Sequence, residues 1–161
     1  MQRPPDGHLT WVLADLAQAL RIPPEEVREY FTDGRRISFI LERRVAREVL
    51  KGALAASEGA DHDLTDAEGG KWEVRSITEQ GIYFSPSNMV GKGRSFEESG
   101  FLAKTEKISG YILFDIESFP EVPFWFVPST TVRGWWQEGR LGAGTKISRK
   151  RALALLKEKQ R

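Results

Sequence analysis

The chain has 161 residues, 40% of them hydrophobic and 11% aromatic, which is enough to bury one core. Its 24 basic and 23 acidic side chains nearly cancel, so a histone-like polycation is excluded and any bound anion must meet a local basic patch. The absence of cysteine excludes disulfides, zinc–cysteine sites, iron–sulfur clusters and thiol catalysis.

His8 and His62 alone leave little room for a histidine-rich metal site. No apolar run reaches membrane-spanning length, and Met1–Gly7 lacks the apolar stretch of a signal peptide. The expectation is a cytoplasmic protein that does not enter membranes.

In chain order, Leu9, Val12, Leu13, Leu16 and Leu20 recur at helical spacing and predict a helix over Leu9–Leu20. Pro24 suits the first turn of a short second helix, Glu25–Phe31, and Asp33-Gly34 marks a turn. Residues 1–34 therefore read as a small N-terminal helical extension packed on the main domain, with a DNA-reading helix pair as the alternative. The apolar stripe Ile37, Ile40, Leu41, Val45, Val49, Ala53 and Leu54 predicts a long helix over Ile37–Leu54, started by Ser38 or the turn before it. Arg43, Arg44, Arg47 and Lys51 lie on its other face, a solvated surface or a nucleic-acid contact.

The period then changes. Lys71–Ile77 alternates polar and apolar as a half-buried strand does, and Asp61–Leu64 precedes it across the turn formers Thr65–Gly70, a hairpin signal. Gly81–Phe84 predicts a further strand, and Ser95 with Glu98 forms a capping box for a helix reaching about Lys107. Gly110–Ile116 is apolar enough for a central strand covered on both faces, and Val122–Val127 predicts another. Ser129 opens a helix through Trp135-Trp136 that stops at Gly139, and Ser148 caps the last one. This order predicts an α/β domain over residues 35–161, a mixed central β-sheet flanked by α-helices.

A hairpin turn centred on Glu68 places Asp63 opposite Glu73 and Asp61 opposite Arg75. Opposed residues share a face, with Cβ atoms about 4.5–5.5 Å apart. Lys71, Glu73 and Arg75 then stand in one row, while Trp72 and Val74 point into the core. Two carboxylates this close repel unless a cation lies between them, and a hard divalent ion such as magnesium resolves the conflict. A surface hairpin whose charges face water is the other reading of the same alternation.

The series Leu41-Glu42, Asp63-Leu64 and Trp72-Glu73-Val74-Arg75-Ser76 resembles the PD-(D/E)XK (restriction-endonuclease-like) nuclease core. That core has a glutamate on a helix, an aspartate at a hairpin, and acid–x–lysine on a strand. The resemblance extends from about Ile37 to Trp125 and includes the following helix and apolar strand. It implies a magnesium-dependent endonuclease cutting double-stranded DNA, of the type II restriction kind, with Asp63 and Glu73 holding the metal and Glu42 assisting. Arg75 stands where the family has its lysine; arginine does not readily give up a proton, so Lys71 or Lys104 is the alternative source of one. A nucleic-acid-binding protein of the same fold without catalysis is the alternative function. A homodimer is expected because two strands need two active sites.

Gly91–Ser95 opens a predicted helix whose glycines let backbone approach a phosphate, and Thr145–Arg151 concentrates four cations at another helix start. Ser87, Asn88, Lys92, Arg94, Lys146, Arg149 and Lys150 are the candidate DNA contacts. Trp125, Trp135 and Trp136 read as core, and the VPFWFV strand with them could otherwise form a protein-docking surface.

Overall fold

The computed structural model describes residues 3–56 and 60–161. The first element is a strand, β1 (Gly7–Thr10), where the apolar spacing predicts a helix. Leu9 is buried within it, paired with Val122 of a later strand, and helix α1 starts only at Leu13 and runs to Leu20. Helix α2 (Pro24–Phe31) carries Pro24 in its first turn as expected.

Asp33 caps helix α3 (Gly34–Val45), its Oδ1 accepting from the N–H groups of Arg35 at 2.9 Å and Arg36 at 3.4 Å. The predicted helix to Leu54 is too long. A π-helical turn, Ala46–Leu50, closes it, and Lys51 takes a left-handed conformation with φ of 51°. Gly52 explains the stop: a Cβ there would lie 2.0 Å from the Thr65 carbonyl oxygen. Only glycine lets the chain pass that close and continue as strand β2 (Ala53–Leu54) beside β3 (Leu64–Thr65).

Strand β4 is Lys71–Ile77, as its alternation predicts, and β5 is Ile82–Tyr83. The capping box at Ser95 does not form. Helix α4 spans Glu98–Lys107 with no side-chain cap, because Phe96 packs on Phe101 and Trp136 at ring separations of 6.0 and 5.2 Å and anchors the approach to the helix. Then come β6 (Gly110–Asp115), β7 (Glu121–Pro128), α5 (Ser129–Gln137), β8 (Lys146–Ile147) and α6 (Arg149–Lys159). Ser148 caps α6 as expected, accepting from the Arg151 N–H at 3.2 Å.

The result is a mixed α/β fold. Among the described residues the main sheet has six strands in the order β1-β7-β6-β4-β3-β2, and β5 pairs with β8 in a separate ribbon. Strands β4 and β6 run parallel, with α4 in the connection between them; the other pairs are antiparallel. Two apolar cores lie on opposite faces. Trp72, Val74, Ile112 and Phe114 meet α1, α2 and α3 on one side; Ile77, Tyr111 and Leu113 meet α4, α5 and α6 on the other. Strand β6 is buried throughout, as its apolar run requires.

One expectation needs refining. The N-terminal segment is not helical throughout, since β1 forms an edge of the main sheet, while α1 and α2 pack on the first core through Ala17, Val27 and Phe31. In VPFWFV, Val122, Phe124, Phe126 and Val127 are buried, and Pro123 and Trp125 are partly exposed. No helix among the described residues is long and apolar enough to cross a membrane.

The Asp33 cap holds the start of α3, which carries Glu42. Asp33→Ala is expected to cost about 1 kcal/mol of folding stability, as a lost N-cap does. Urea denaturation checks this, and an unchanged midpoint would show that the cap contributes nothing.

Candidate functional site

The β3–β4 register is the one that a turn centred on Glu68 predicts: Leu64 pairs with Trp72 and Thr65 with Lys71. Strand β3 ends there, so the outer edge of β4 from Glu73 onward has no strand beside it among the described residues. Asp63, the residue before β3, is fastened on both sides of Glu73. Its N–H donates to the Trp72 carbonyl at 3.0 Å, and its Oδ2 accepts from the Val74 N–H at 2.8 Å.

A cleft of about 1010 Å³ opens along this free edge. The carboxylates of Glu42 from α3, Asp63 from the hairpin and Glu73 from β4 all line it, as does Arg75. Among the described residues, no group of three or more His, Cys, Asp or Glu side chains could by itself hold a metal ion.

Glu73 is 7% exposed. Arg75 Nη1 donates to its Oε1 at 2.8 Å, and Lys104 Nζ from α4 stands 2.9 Å from its Oε2. The Lys104 contact is ionic, without hydrogen-bond alignment, and Oε2 is buried with no hydrogen-bond partner. Lys104 also donates to the Asp61 carbonyl. Of the alternatives to Arg75, Lys104 is thus the lysine at the acid cluster. Lys71 is exposed on the strand, paired with Thr65.

Arg75 does not present a free guanidinium to the cleft. Its remaining donors serve the Val74 and Ser85 carbonyls at 3.0 and 3.2 Å, Nε is buried without a partner, and the group lies over the Tyr83 ring. Burial opposes its charge, but Glu73 and the nearby Tyr83, Tyr111 and Asp63 more than offset this and raise its pKa. Asp61, expected opposite Arg75, is exposed and contributes only its carbonyl, through Lys104. His62 makes a 3.0 Å contact with Thr65 Oγ1 and does not line the cleft.

Burial pushes the Asp63 carboxyl upward and the Glu73 charge adds to it, against the Val74 N–H, Arg75 and Lys104. Glu42 is pushed up to about 7, first by burial and then by Asp63, with Glu73 contributing and Arg43 opposing.

The predicted DNA contacts divide. Ser87 and Arg94 line the cleft, while Asn88 and Lys92 do not. Arg94 is turned back onto the Ser87 and Val90 carbonyls at 3.0 and 3.3 Å. Arg149 forks onto buried Asp115 at 2.9 and 2.7 Å and so serves first as a structural partner. Lys146 sits on β8 opposite Tyr83, and Lys150 is exposed on α6; neither reaches the cleft. The sequence reading missed the far wall, built by Glu29, Asp33, Arg35 and Ser38, with Glu79 and Glu117 at one end. Asp33 and Ser38 are marked in the sequence only as a turn and a helix start, and Glu29, Asp33, Arg35 and Ser38 reach the cleft only through the packing of α2 and α3.

No family model matches the chain, nor does any curated protein or solved structure.

Because Glu42 binds its proton more tightly folded than unfolded, stability falls as pH rises from the ordinary carboxylate range through about 7. The melting temperature is expected to drop over that interval, and Glu42→Gln should remove much of the drop. Calorimetry from pH 5 to 8 reads this; equal slopes in both proteins would contradict it.

Proposed function

We propose that the protein is a magnesium-dependent endonuclease that hydrolyses phosphodiester bonds of double-stranded DNA, a type II restriction-endonuclease-like enzyme of PD-(D/E)XK character. One observation carries the reading: Asp63 is fastened beside Glu73 on the open edge of a sheet strand, with Glu42 behind them and Lys104 alongside. The succession α3, β2, β3, β4, β5, α4, β6, with β5 outside the main sheet, is compatible with it. The setting would be the cytoplasm, and the assembly a homodimer with one site for each strand.

The residues fit a hard divalent ion. All their donors are oxygens, Glu73 Oε2 is buried without a hydrogen-bond partner, and burial, with neighbouring carboxylate charge added, raises the pKa values of Glu42 and Asp63. Magnesium is usually held by one or two carboxylates, with waters and substrate phosphate completing its shell, so a third protein ligand is not required. When bound, it would supply charge neutralisation at the phosphate and acidify a water.

The chain's own groups divide the remaining work. Asp63 and Glu73 hold the ion. Arg75 positions Glu73 and keeps its proton. Lys104 supplies the second cation beside Glu73, the one that would answer charge developing on a phosphate oxygen, since Arg75 is engaged by Glu73 and two main-chain carbonyls. Glu42 orders the shell from α3 once it is ionised, so activity should climb with pH through neutrality.

The same contacts support a second reading. Glu73 already has two cations, which would satisfy a non-catalytic nucleic-acid-binding protein of this fold.

Incubation with plasmid and magnesium separates the two. Cleavage is expected in the wild type, with Asp63→Asn and Glu73→Gln inactive and Lys104→Ala slowed by about 10²-fold or more. Magnesium should also raise the wild-type melting temperature, more at pH 8 than at pH 5. A wild type that binds DNA but neither cuts methylated or unmethylated plasmid nor gains stability from magnesium would establish the second reading.

A further inference from the structure

The cleft is a poor host for a polyanion by itself. Its lining carries seven carboxylates, Glu29, Asp33, Glu42, Asp63, Glu73, Glu79 and Glu117, against the guanidiniums of Arg35, Arg75 and Arg94. The complementary charge lies next to it, on the outer face of α3. Residues 35, 38 and 42 of that helix face the cleft, and residues 36, 39, 43 and 47 follow around the helix, away from buried Ile37, Leu41 and Val45.

Two aromatic rings stand on this outer face with arginines over them. Phe39 is 60% exposed, and the Arg43 guanidinium lies 3.4 Å from its ring centroid, held by a 3.1 Å bond to the Phe39 carbonyl. Tyr30, at the end of α2, is 42% exposed with Arg36 at 5.4 Å. Arg35 and Arg47 extend the row at its ends, both exposed. Nearby acids are turned elsewhere: Glu42 lines the cleft, and Glu48 is taken by Arg44 at 2.7 and 2.9 Å. Asp33 caps the helix and reaches Arg36 only at 3.6 Å.

We propose that this arginine–aromatic stripe is a docking track for an unpaired stretch of nucleic-acid strand leading into the cleft. Charge complementarity selects the occupant, since four arginines along about 18 Å of helix suit a phosphate backbone. The rings select its state. An exposed phenyl ring with a guanidinium over one face can stack its other face on a base whose own face is free, and bases inside a duplex offer none. A protein partner would find too little apolar area, one phenyl and one phenol ringed by charge. The inference takes its choice of nucleic acid from the proposed function but does not depend on catalysis.

Binding without metal tests it. Wild type in EDTA is titrated, by fluorescence anisotropy, with a labelled blunt duplex and with the same duplex bearing a single-stranded overhang. The overhang substrate should bind more tightly. Phe39→Ala should lose about tenfold on it and little on the blunt duplex, with Phe39→Trp restoring affinity. Arg43→Ala should reduce the salt slope on the overhang by roughly 0.7. Phe39 is exposed, so an unchanged melting temperature confirms an intact fold. No preference for the overhang in the wild type, or equal affinities for wild type and Phe39→Ala, overturns the proposal. Failure of plasmid cleavage alongside a Phe39-dependent preference sinks only the nuclease reading; cleavage without that preference sinks only this one.

Discussion

Glu73 occupies a position where a sheet ordinarily buries an apolar side chain, and much of the neighbouring structure makes that tolerable. Removing a carboxylate from water costs several kcal/mol unless it is paired and hydrogen-bonded. Arg75 answers from the same face of β4, two residues along. Lys104 answers from α4, the helix that carries the chain from β4 to parallel β6. Asp63 is fixed alongside by main-chain bonds to the residues on either side of Glu73. A hairpin, a strand and a crossover helix therefore converge on one carboxylate, and Glu73 Oε2 remains without a hydrogen bond.

That convergence sets the electrostatics of the cleft. Three acids and two bases meet there, and burial first, then the neighbouring carboxylate charge, raises the pKa values of Glu42 and Asp63. Such a pocket repels phosphate and attracts cations. On the proposed reading the ion and the substrate are coupled, because the ion must arrive for phosphate to be accepted. The polyanion would otherwise be held by arginines outside the pocket, which is where α3 presents them.

The legible parts of the sequence were those in which one local rule decides. Two strands about a turn centred on Glu68 pair symmetrically and set Asp63 beside Glu73, whereas a turn with an even number of residues would have separated them; the observed register is the symmetric one. The apolar run of β6 and the Ser148 cap were equally local. Elsewhere long-range contact overrode the local pattern. Leu9 fits a helical stripe but pairs with Val122 from far along the chain. Gly52 ends α3 because of the Thr65 carbonyl, and Phe96 displaces a capping box by packing on Trp136. The far wall of the cleft was illegible for the same reason, since Glu29 and Arg35 acquire meaning only when α2 and α3 pack against β4.

The arginine at position 75 follows from the same charge arithmetic. A guanidinium has enough donors to bond Glu73 and two main-chain carbonyls at once, and it stays charged when buried. An ammonium there would have to surrender some of those bonds and would lose its proton more readily. Arginine on the strand therefore suits the task of holding Glu73 still. Lys104 makes two contacts, to Glu73 Oε2 and to the Asp61 carbonyl, and on the proposed reading its ammonium would be the cation that answers a phosphate. On the proposed reading the two tasks divide between β4 and α4, each met by the side chain whose chemistry fits it.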